Sequence, residues 1–251
     1  MEAMNIVCWK RKCAYGFSLV EMAVVLVILG FVITALILPV TAQRAAGFLR
    51  QTEHQLEIAQ KALIGFAQAN GRLPCPATAQ TSEDAGSSGL EQSLNGGGCT
   101  VMVGYLPAAT LGIAPVDMHG FAVDGWGNRI WYAVTQAPAG SVNFPFTTAG
   151  HMSLAGMGSL SPDLQVWTRN AQDNSVTPAI SNAVAVVFST GASFSLGAGG
   201  EDEFENLNVN SNKFFNYDQR ASGGGGEFDH KLVWISPYVL YNAMIQAGQL
   251  P

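Results

Sequence analysis

An almost unbroken run of apolar residues covers 17–40, and a single carboxylate, Glu21, lies near its start. A helix over this run would be about 36 Å long at about 1.5 Å rise per residue, which is enough to cross a bilayer core. The run therefore predicts a transmembrane helix over 17–40. The alternative is a cleaved secretory signal, but the run is too long for one and no convincing small-residue cleavage site follows it.

Hydrophobic residues continue at helical spacing over 41–71, now with Gln, Glu, Lys and Arg on the opposite face. The apolar positions are Leu49, Leu56, Leu63 and Phe66. The Asn-Gly pair at 70–71 ends the helix, and the prolines that follow prevent its continuation. The sequence thus predicts an amphipathic continuation of the first helix, lying against a globular domain formed by 72–251.

Patterns typical of strands recur within 72–251, where runs rich in β-branched and aromatic residues are bounded by turn residues. They predict strands over 129–135, 184–189 and 231–235. Ser236 and Pro237 supply an N-cap and a first-turn proline for a last helix to about residue 247. The glycine-rich segment 191–226 is interpreted as loop.

Basic residues near the apolar run predict its orientation in a membrane. Three consecutive basic residues at 10–12 precede the run, whereas Arg44 and Arg50 follow it at wider spacing. Because cytoplasmic flanks carry the excess of Lys and Arg, the N-terminus is predicted to be cytoplasmic and the chain after the run to be exported.

Glu21 needs a partner if it lies in a membrane, because a carboxylate there costs a few kcal/mol. A cut between Gly16 and Phe17 would create an α-amine one helical turn from Glu21, and its reference pKa of about 7.7–8.0 makes much of it cationic near neutral pH. The Phe17 amine of a neighbouring subunit could then neutralise Glu21. The alternative is that Glu21 lies at the depth of the lipid headgroups, and the physics leaves both interpretations open.

The segment Gly-Phe-Ser-Leu-Val-Glu at 16–21, with basic residues before it and the apolar run behind it, resembles the N-terminal signature of type IV pilins and type II secretion pseudopilins. The resemblance implies that a prepilin peptidase cleaves after Gly16, which removes a leader over 1–16, and that Phe17 is N-methylated. It also implies that Glu21 pairs with a neighbour's N-terminus during filament assembly.

Gly30 and Pro39 weaken the predicted helix, since Gly lowers helix propensity by about 1 kcal/mol relative to Ala and Pro removes a backbone donor. In the family that the N-terminus resembles, the helix between such residues can lose order as subunits pack into the filament. That family shares a long N-terminal helix packed on an antiparallel sheet. The predicted fold is therefore α+β and pilin-like, with a small antiparallel sheet in the head and a loop-rich C-terminal region.

The four cysteines divide between the two sides of the implied cleavage site. Cys8 and Cys13 lie in the leader and are lost with it, which leaves Cys75 and Cys99 on the exported side. An even pair in an oxidising compartment predicts a disulfide, worth about 3–4 kcal/mol in the chain-entropy model. Two free thiols or half of a metal site are the alternatives, although no CxxC and no nearby His completes a zinc set.

The sequence contains no recognisable catalytic motif, and its four histidines lack metal-ligand spacing. We therefore predict that the protein is not an enzyme and holds no metal or cofactor. The acids of 201–205 leave a Ca²⁺ site open, but a solvated acidic loop is favoured because their ligand spacing is unclear. The glycine-rich segments 197–200 and 223–226 are interpreted as flexible loops. A net charge of −6, without a Lys or Arg cluster outside the leader, argues against nucleic acid as a partner.

The whole sequence predicts a structural subunit, a minor pilin or pseudopilin, of a type IV pilus or a type II secretion pseudopilus. The implied partners are the prepilin peptidase, other pilin or pseudopilin subunits, the inner-membrane assembly platform and membrane lipid. The subunit is expected first in the inner membrane, as a single-pass protein with a periplasmic head, and then in the filament. The alternative is an adhesin or ligand-binding protein delivered by a pilin N-terminus, whose head recognises a surface, a sugar or DNA.

Overall fold

The computed structural model describes residues 18–78, 89–94, 97–136, 144–194, 197 and 199–250, and within 35–42 it describes the backbone alone. The chain divides into two compact units, Met1–Ala46 and Gly47–Pro251. Both hydrophobic cores formed by the described residues lie in the second unit. The predicted leader lies outside the described residues.

Helix α1 spans Leu19–Asn70 and contributes residues to both units. It ends as the sequence predicts, because Gly71 adopts a left-handed conformation with φ of 66° and its N–H bonds to the carbonyl of Ala67 at 2.9 Å. The helix continues through Gly30 and Pro39, so neither residue interrupts it here. A proline removes only one donor, and the other hydrogen bonds of a long helix remain. The loss of helical order on packing stays a prediction.

Within the second unit, one face of α1 packs against the head. Its most buried apolar side chains are Leu56, Ala59, Leu63 and Ala67, each no more than 1% exposed. The amide groups of Gln60 and Gln68 donate hydrogen bonds to the carbonyls of Trp234, at 2.7 Å, and Ala243, at 3.0 Å. The predicted amphipathic continuation of the helix is therefore the part that packs on the head.

The head is built around a four-stranded antiparallel sheet. Its strands are β1 (Val103–Tyr105), β2 (Trp131–Val134), β5 (Ala185–Ser189) and β7 (Lys231–Ile235). They lie in the order β1-β2-β5-β7. The three strands predicted from the sequence are β2, β5 and β7, each correct to within two residues at either end. Short helices follow elsewhere in the head: α2 (Ala108–Leu111) and a 3₁₀ helix (Met157–Ser159).

Both faces of this sheet are covered, which explains the continuous apolar run in β5. Ala185 and Val187 belong to the core under α1, whereas Val186 and Phe188 belong to the core on the opposite face. All four side chains are fully buried. A strand buried on both faces loses the usual alternation of apolar and polar residues.

A second, three-stranded sheet closes the opposite core, and the sequence did not predict it. Strand β3 (Leu164–Arg169) pairs antiparallel with β4 (Val176–Ala183) and parallel with β6 (Lys213–Phe215). The order is β4-β3-β6. Strand β4 is a half-exposed edge strand that contains Pro178, and β6 has only three residues, so neither has a strong strand pattern.

Two further helices complete the head. Helix α4 (Pro237–Gln246) starts as predicted, since the Ser236 hydroxyl accepts a hydrogen bond from the N–H of Tyr238 at 3.3 Å. Helix α3 (Glu201–Asn206) lies in the segment 191–226. The loop interpretation of that segment is wrong in part, because both α3 and β6 form there.

Candidate functional site

The start of α1 brings together Ser18 and Glu21. The Ser18 hydroxyl accepts a hydrogen bond from the N–H of Glu21 at 3.1 Å, and the Ser18 carbonyl accepts one from the N–H of Met22 at 3.2 Å. Ser18 is therefore the N-cap, and Glu21 occupies the third helical position, as in a capping box. A carboxylate in the first turn also stabilises the positive end of the helix dipole by about 0.3–1 kcal/mol. Sequence reasoning missed this local role of Glu21, although the Ser-x-x-Glu pattern signals it.

The rest of the N-terminal segment presents apolar side chains to its surroundings. Every side chain described between 19 and 34 is exposed, including Leu19, at 91%, and Phe31, at 74%. A continuous apolar surface of this extent marks a region that contacts another protein or lipid. The implied processing residues, Gly16 and Phe17, lie outside the described residues.

The sequence predicted a transmembrane helix over 17–40. Among the helices of the described residues, none has the length and apolar character that crossing a membrane requires. The structure therefore does not support the predicted span.

Cys75 and Cys99, the pair that the sequence predicted to be bonded, form a disulfide in the head. The adjoining segment is held by Glu91, whose carboxylate accepts hydrogen bonds from both terminal nitrogens of Arg72, each at 2.7 Å, and from the N–H of Cys75 at 3.1 Å. Burial alone would raise the pKa of Glu91, but these hydrogen bonds outweigh it and the pKa is lowered. The disulfide thus lies beside an ion pair that stabilises the same segment.

The acids of 201–205 do not form the solvated loop that the sequence favoured, nor do they converge on one point. Asp202 is buried and accepts hydrogen bonds from Arg169 at 2.7 and 2.8 Å. Glu203 is also buried and accepts the backbone N–H of Asp229. Glu205 accepts the hydroxyl of Ser211 at 2.5 Å. Helix α3 therefore directs each of these carboxylates to a different partner.

A buried group suited by composition to a metal ion was not predicted. Glu203, Asp229 and His230 place one possible ligand atom each within 4.8 Å of the others. They come from α3 and from the residues just before β7, which are far apart in the sequence. The sequence signal was limited to an Asp-His pair ahead of a strand.

The hydrogen bonds of Asn206 decide whether His230 suits a metal. Asn206 Oδ1 accepts the N–H of Phe215 at 2.6 Å and its Nδ2 donates to the Phe215 carbonyl at 3.1 Å, so the backbone fixes the amide orientation. Nδ2 must then donate to His230 Nδ1, 3.1 Å away. Burial lowers the pKa of His230 to about 4, so the ring is neutral and Nε2 carries its hydrogen. His230 has no free lone pair for a metal, and the three groups do not fit a metal site.

The glycine-rich segment 223–226, interpreted from the sequence as a flexible loop, is hydrogen-bonded to its neighbours. The N–H of Gly224 donates to Asn174 at 3.1 Å, and its carbonyl accepts from the guanidinium of Arg220. The carbonyl of Gly225 accepts the N–H of Asp202. The run of glycines lets the backbone lie close to these groups. The segment contains no helix or strand, as the sequence predicts, and its flexibility stays a prediction.

Residues 11–37 match a family model described as the prokaryotic N-terminal methylation motif. This motif is the signature of type IV pilins and pseudopilins, so the resemblance seen in the sequence is confirmed. Neither the curated proteins nor the solved structures contain a match to the chain. The motif supports a pilin- or pseudopilin-like precursor and implies a membrane-anchored pilus subunit. It also implies processing by a prepilin peptidase and assembly with other pilin subunits, and it suggests a structural subunit in place of an enzyme.

Proposed function

We propose that the protein is a minor pilin or pseudopilin, a structural subunit of a type IV pilus or of a type II secretion pseudopilus. A prepilin peptidase cleaves the precursor after Gly16 on the cytoplasmic side of the inner membrane and methylates Phe17. The head is periplasmic until the subunit enters the filament. The single observation that carries this proposal is the match of 11–37 to the methylation motif.

The geometry of the N-terminal segment supports the proposal in two ways. Its exposed apolar side chains need a partner, and packing helices into a filament core would bury them. Glu21 is exposed, and its hydrogen bond to Ser18 uses the backbone N–H of Glu21, so that within residues 18–78 the carboxylate accepts no hydrogen bond. That carboxylate can therefore accept the α-amine of a neighbouring subunit.

The adhesin alternative receives no support from the polar cavity of about 430 Å³ beside β3. Tyr217 is the aromatic residue among those that line it. One face of Tyr217 stacks on Phe228, with ring centroids 3.8 Å apart, and Arg220 lies over its ring at 4.5 Å. Phe228 and Arg220 both pack over this ring, so the cavity lacks a freely accessible aromatic surface on which a sugar would stack.

The intact mass of the protein, purified from membranes of a host that carries a prepilin peptidase, tests the processing. We expect the mass of a chain that begins at Phe17 and carries one methyl group. The mass of a chain that begins at Met1 would show that the signature is not recognised, and the proposal would fail.

The role of Glu21 is tested by Glu21→Gln, with Ser18→Ala as a matched control. Loss of the pairing charge should leave cleavage intact and reduce incorporation into filaments at least about tenfold, the effect of about 1.4 kcal/mol. Ser18→Ala removes the N-cap, at about 1 kcal/mol, but keeps the carboxylate. Incorporation of Ser18→Ala should stay near wild type. If both variants lost filament incorporation equally, Glu21 would act through helix stability, and its pairing with a neighbour's α-amine would be contradicted.

A further inference from the structure

Two buried carboxylates meet between α3 and the entry to β7. Glu203 is 2% exposed and Asp229 is 5% exposed. Both approach the Ser193 hydroxyl, which is 3.1 Å from Asp229 Oδ1 and 3.5 Å from Glu203 Oε2. A hydroxyl has one hydrogen, so it can donate to only one of the two carboxylates.

Backbone donors join the same three segments. The N–H of Asp229 donates to Glu203 Oε1, and the N–H of Ser193 donates to Asp229 Oδ2 at 2.8 Å. Gly191 gives the pair room, because a Cβ at that position would lie 2.1 Å from Asp229 Oδ1. Helix α3, the turn around Ser193 and the residues before β7 therefore meet at this carboxylate pair.

No basic side chain among the described residues forms an ion pair with Glu203 or Asp229. The nearby guanidinium of Arg169 is taken by Asp202. His230 is neutral, and the turn 189–194 carries no titratable side chain. The remaining charged groups on the adjoining elements are Glu201 and Glu205 on α3, Asp218, Arg220 and Glu227 before β7, and Lys231 on β7. Two ionised carboxylates buried together would therefore repel each other with no cationic side chain of the described residues paired to either.

We propose that Glu203 and Asp229 share one proton and form a pH-sensitive latch, which holds α3 and the Ser193 turn against the residues that enter β7. One shared proton removes one of the two negative charges and so relieves the repulsion. A metal ion is not expected in its place, because the hydrogen bond from Asn206 leaves His230 no free lone pair for a metal. The latch also acts on the second sheet, because α3 binds β6 through Asn206 and Phe215. Loss of the proton should loosen all of these contacts. This inference does not depend on the N-terminal motif.

The pH range follows from the two buried groups. Burial and the neighbouring Asp229 raise the pKa of Glu203 from 4.5 to about 7, so the folded protein binds more protons than the unfolded chain between these values. The contribution of Glu203 to stability is therefore lost as the pH rises through about 7. His230 has its pKa lowered from 6.5 to about 4 and contributes the opposite slope. The two groups change the stability of the wild-type protein with pH in opposite directions. The contribution of the latch must therefore be measured as the difference in stability between wild type and a variant.

The test compares thermal unfolding of the full chain in detergent from pH 4.5 to 8, for wild type, Glu203→Gln and Glu57→Gln. Gln mimics the protonated glutamate, so Glu203→Gln should gain stability relative to wild type as the pH rises. We expect the difference in Tm to grow by at least about 3 °C, since a stability change of about 1 kcal/mol shifts Tm by 2–4 °C at this size. The exposed Glu57 variant should show a constant difference. A difference for Glu203→Gln that stays constant or falls with pH would overturn the latch.

Two further measurements keep the proposal falsifiable. If Glu203→Gln does not fold, Asp229→Asn should show the same growing difference, and the Ser193 and Asp229 amides of wild type should lose protection from hydrogen exchange above pH 7. Unchanged protection would contradict the proposal. Addition of Ca²⁺, Mn²⁺ or Zn²⁺ to chelator-treated wild type at pH 8 should leave Tm unchanged. A rise in Tm that is absent from Glu203→Gln would identify a cation in place of the proton and overturn the proposal.

Discussion

Glu91 shows how one side chain stabilises a segment that has little regular structure. Its carboxylate holds the guanidinium of Arg72 in a two-point ion pair and also accepts the N–H of Cys75. Both partners of the ion pair are less than a quarter exposed, so solvent screens the interaction only partly. The three residues thus join the end of the α1 region to the chain that precedes the disulfide partner Cys99.

The lowered pKa of Glu91 predicts a pH-dependent contribution to stability. A carboxylate with a depressed folded-state pKa stabilises the fold above its unfolded pKa, and this stabilisation is lost as the pH falls through the folded value. Glu91→Gln should therefore reduce the free energy of unfolding by about 1–3 kcal/mol at pH 6. The deficit should shrink toward pH 3, because wild-type Glu91 becomes protonated as the pH falls through its lowered folded-state pKa. Urea unfolding at the two pH values measures it, and an equal deficit at both would contradict the prediction.

At the scale of elements, the turn that precedes β2 is hydrogen-bonded to α1. Asp124 Oδ1 accepts the N–H groups of Trp126 and Asn128, both at 2.9 Å, which shapes the turn ahead of β2. The N–H of Gly125 then donates to the hydroxyl of Thr52 on α1 at 3.0 Å. At Gly125 the turn also lies close to the backbone of α1 at Phe48, and glycine leaves space for this approach.

Gly125→Ala should destabilise the head for a steric reason. A Cβ at Gly125 would lie 2.3 Å from the carbonyl oxygen of Phe48. Relieving that overlap requires a backbone shift, with an expected cost of about 1–3 kcal/mol. Gly65→Ala is the matched control, because this exposed helical glycine has open space around it and alanine should stabilise the helix by about 0.5–1 kcal/mol. Thermal unfolding should shift in opposite directions, and a stable Gly125→Ala would refute the close approach.

Elements with local signals were predictable from the sequence, whereas elements that depend on distant partners were not. Strand β7 and helix α4 have their own β-branched run, N-cap and proline, and both appear as predicted. Helix α3 was not predicted, because its acidic residues were interpreted as part of a solvent-exposed loop. Asp202 and Glu203 are buried and accept hydrogen bonds from Arg169 and Asp229, each more than twenty positions away in the sequence. The pairing of Glu203 with Asp229 was unpredictable for the same reason.

At the scale of the whole molecule, the cores show which part of the chain is needed for folding. Every buried residue of the two described cores lies after Gly47, and the α1 side chains among them start at Leu56. The large apolar side chains of α1 that are exposed all precede Leu56, and of these only Phe48 lies in the second unit among the described residues. The residues that fold into the cores and the large exposed apolar residues therefore lie on different parts of one helix.

This division predicts that a fragment over 47–251 folds by itself. It keeps the whole of the unit Gly47–Pro251, including the α1 residues that cover the sheet. Its thermal unfolding should be cooperative, with a midpoint within a few degrees of that of the full chain in detergent. A fragment over 72–251 is the control. It lacks Leu56 and Leu63, and since each buried leucine contributes about 1.5–3 kcal/mol, it should show no cooperative transition. Cooperative unfolding of 72–251, or its absence in 47–251, would show that α1 does not divide in this way.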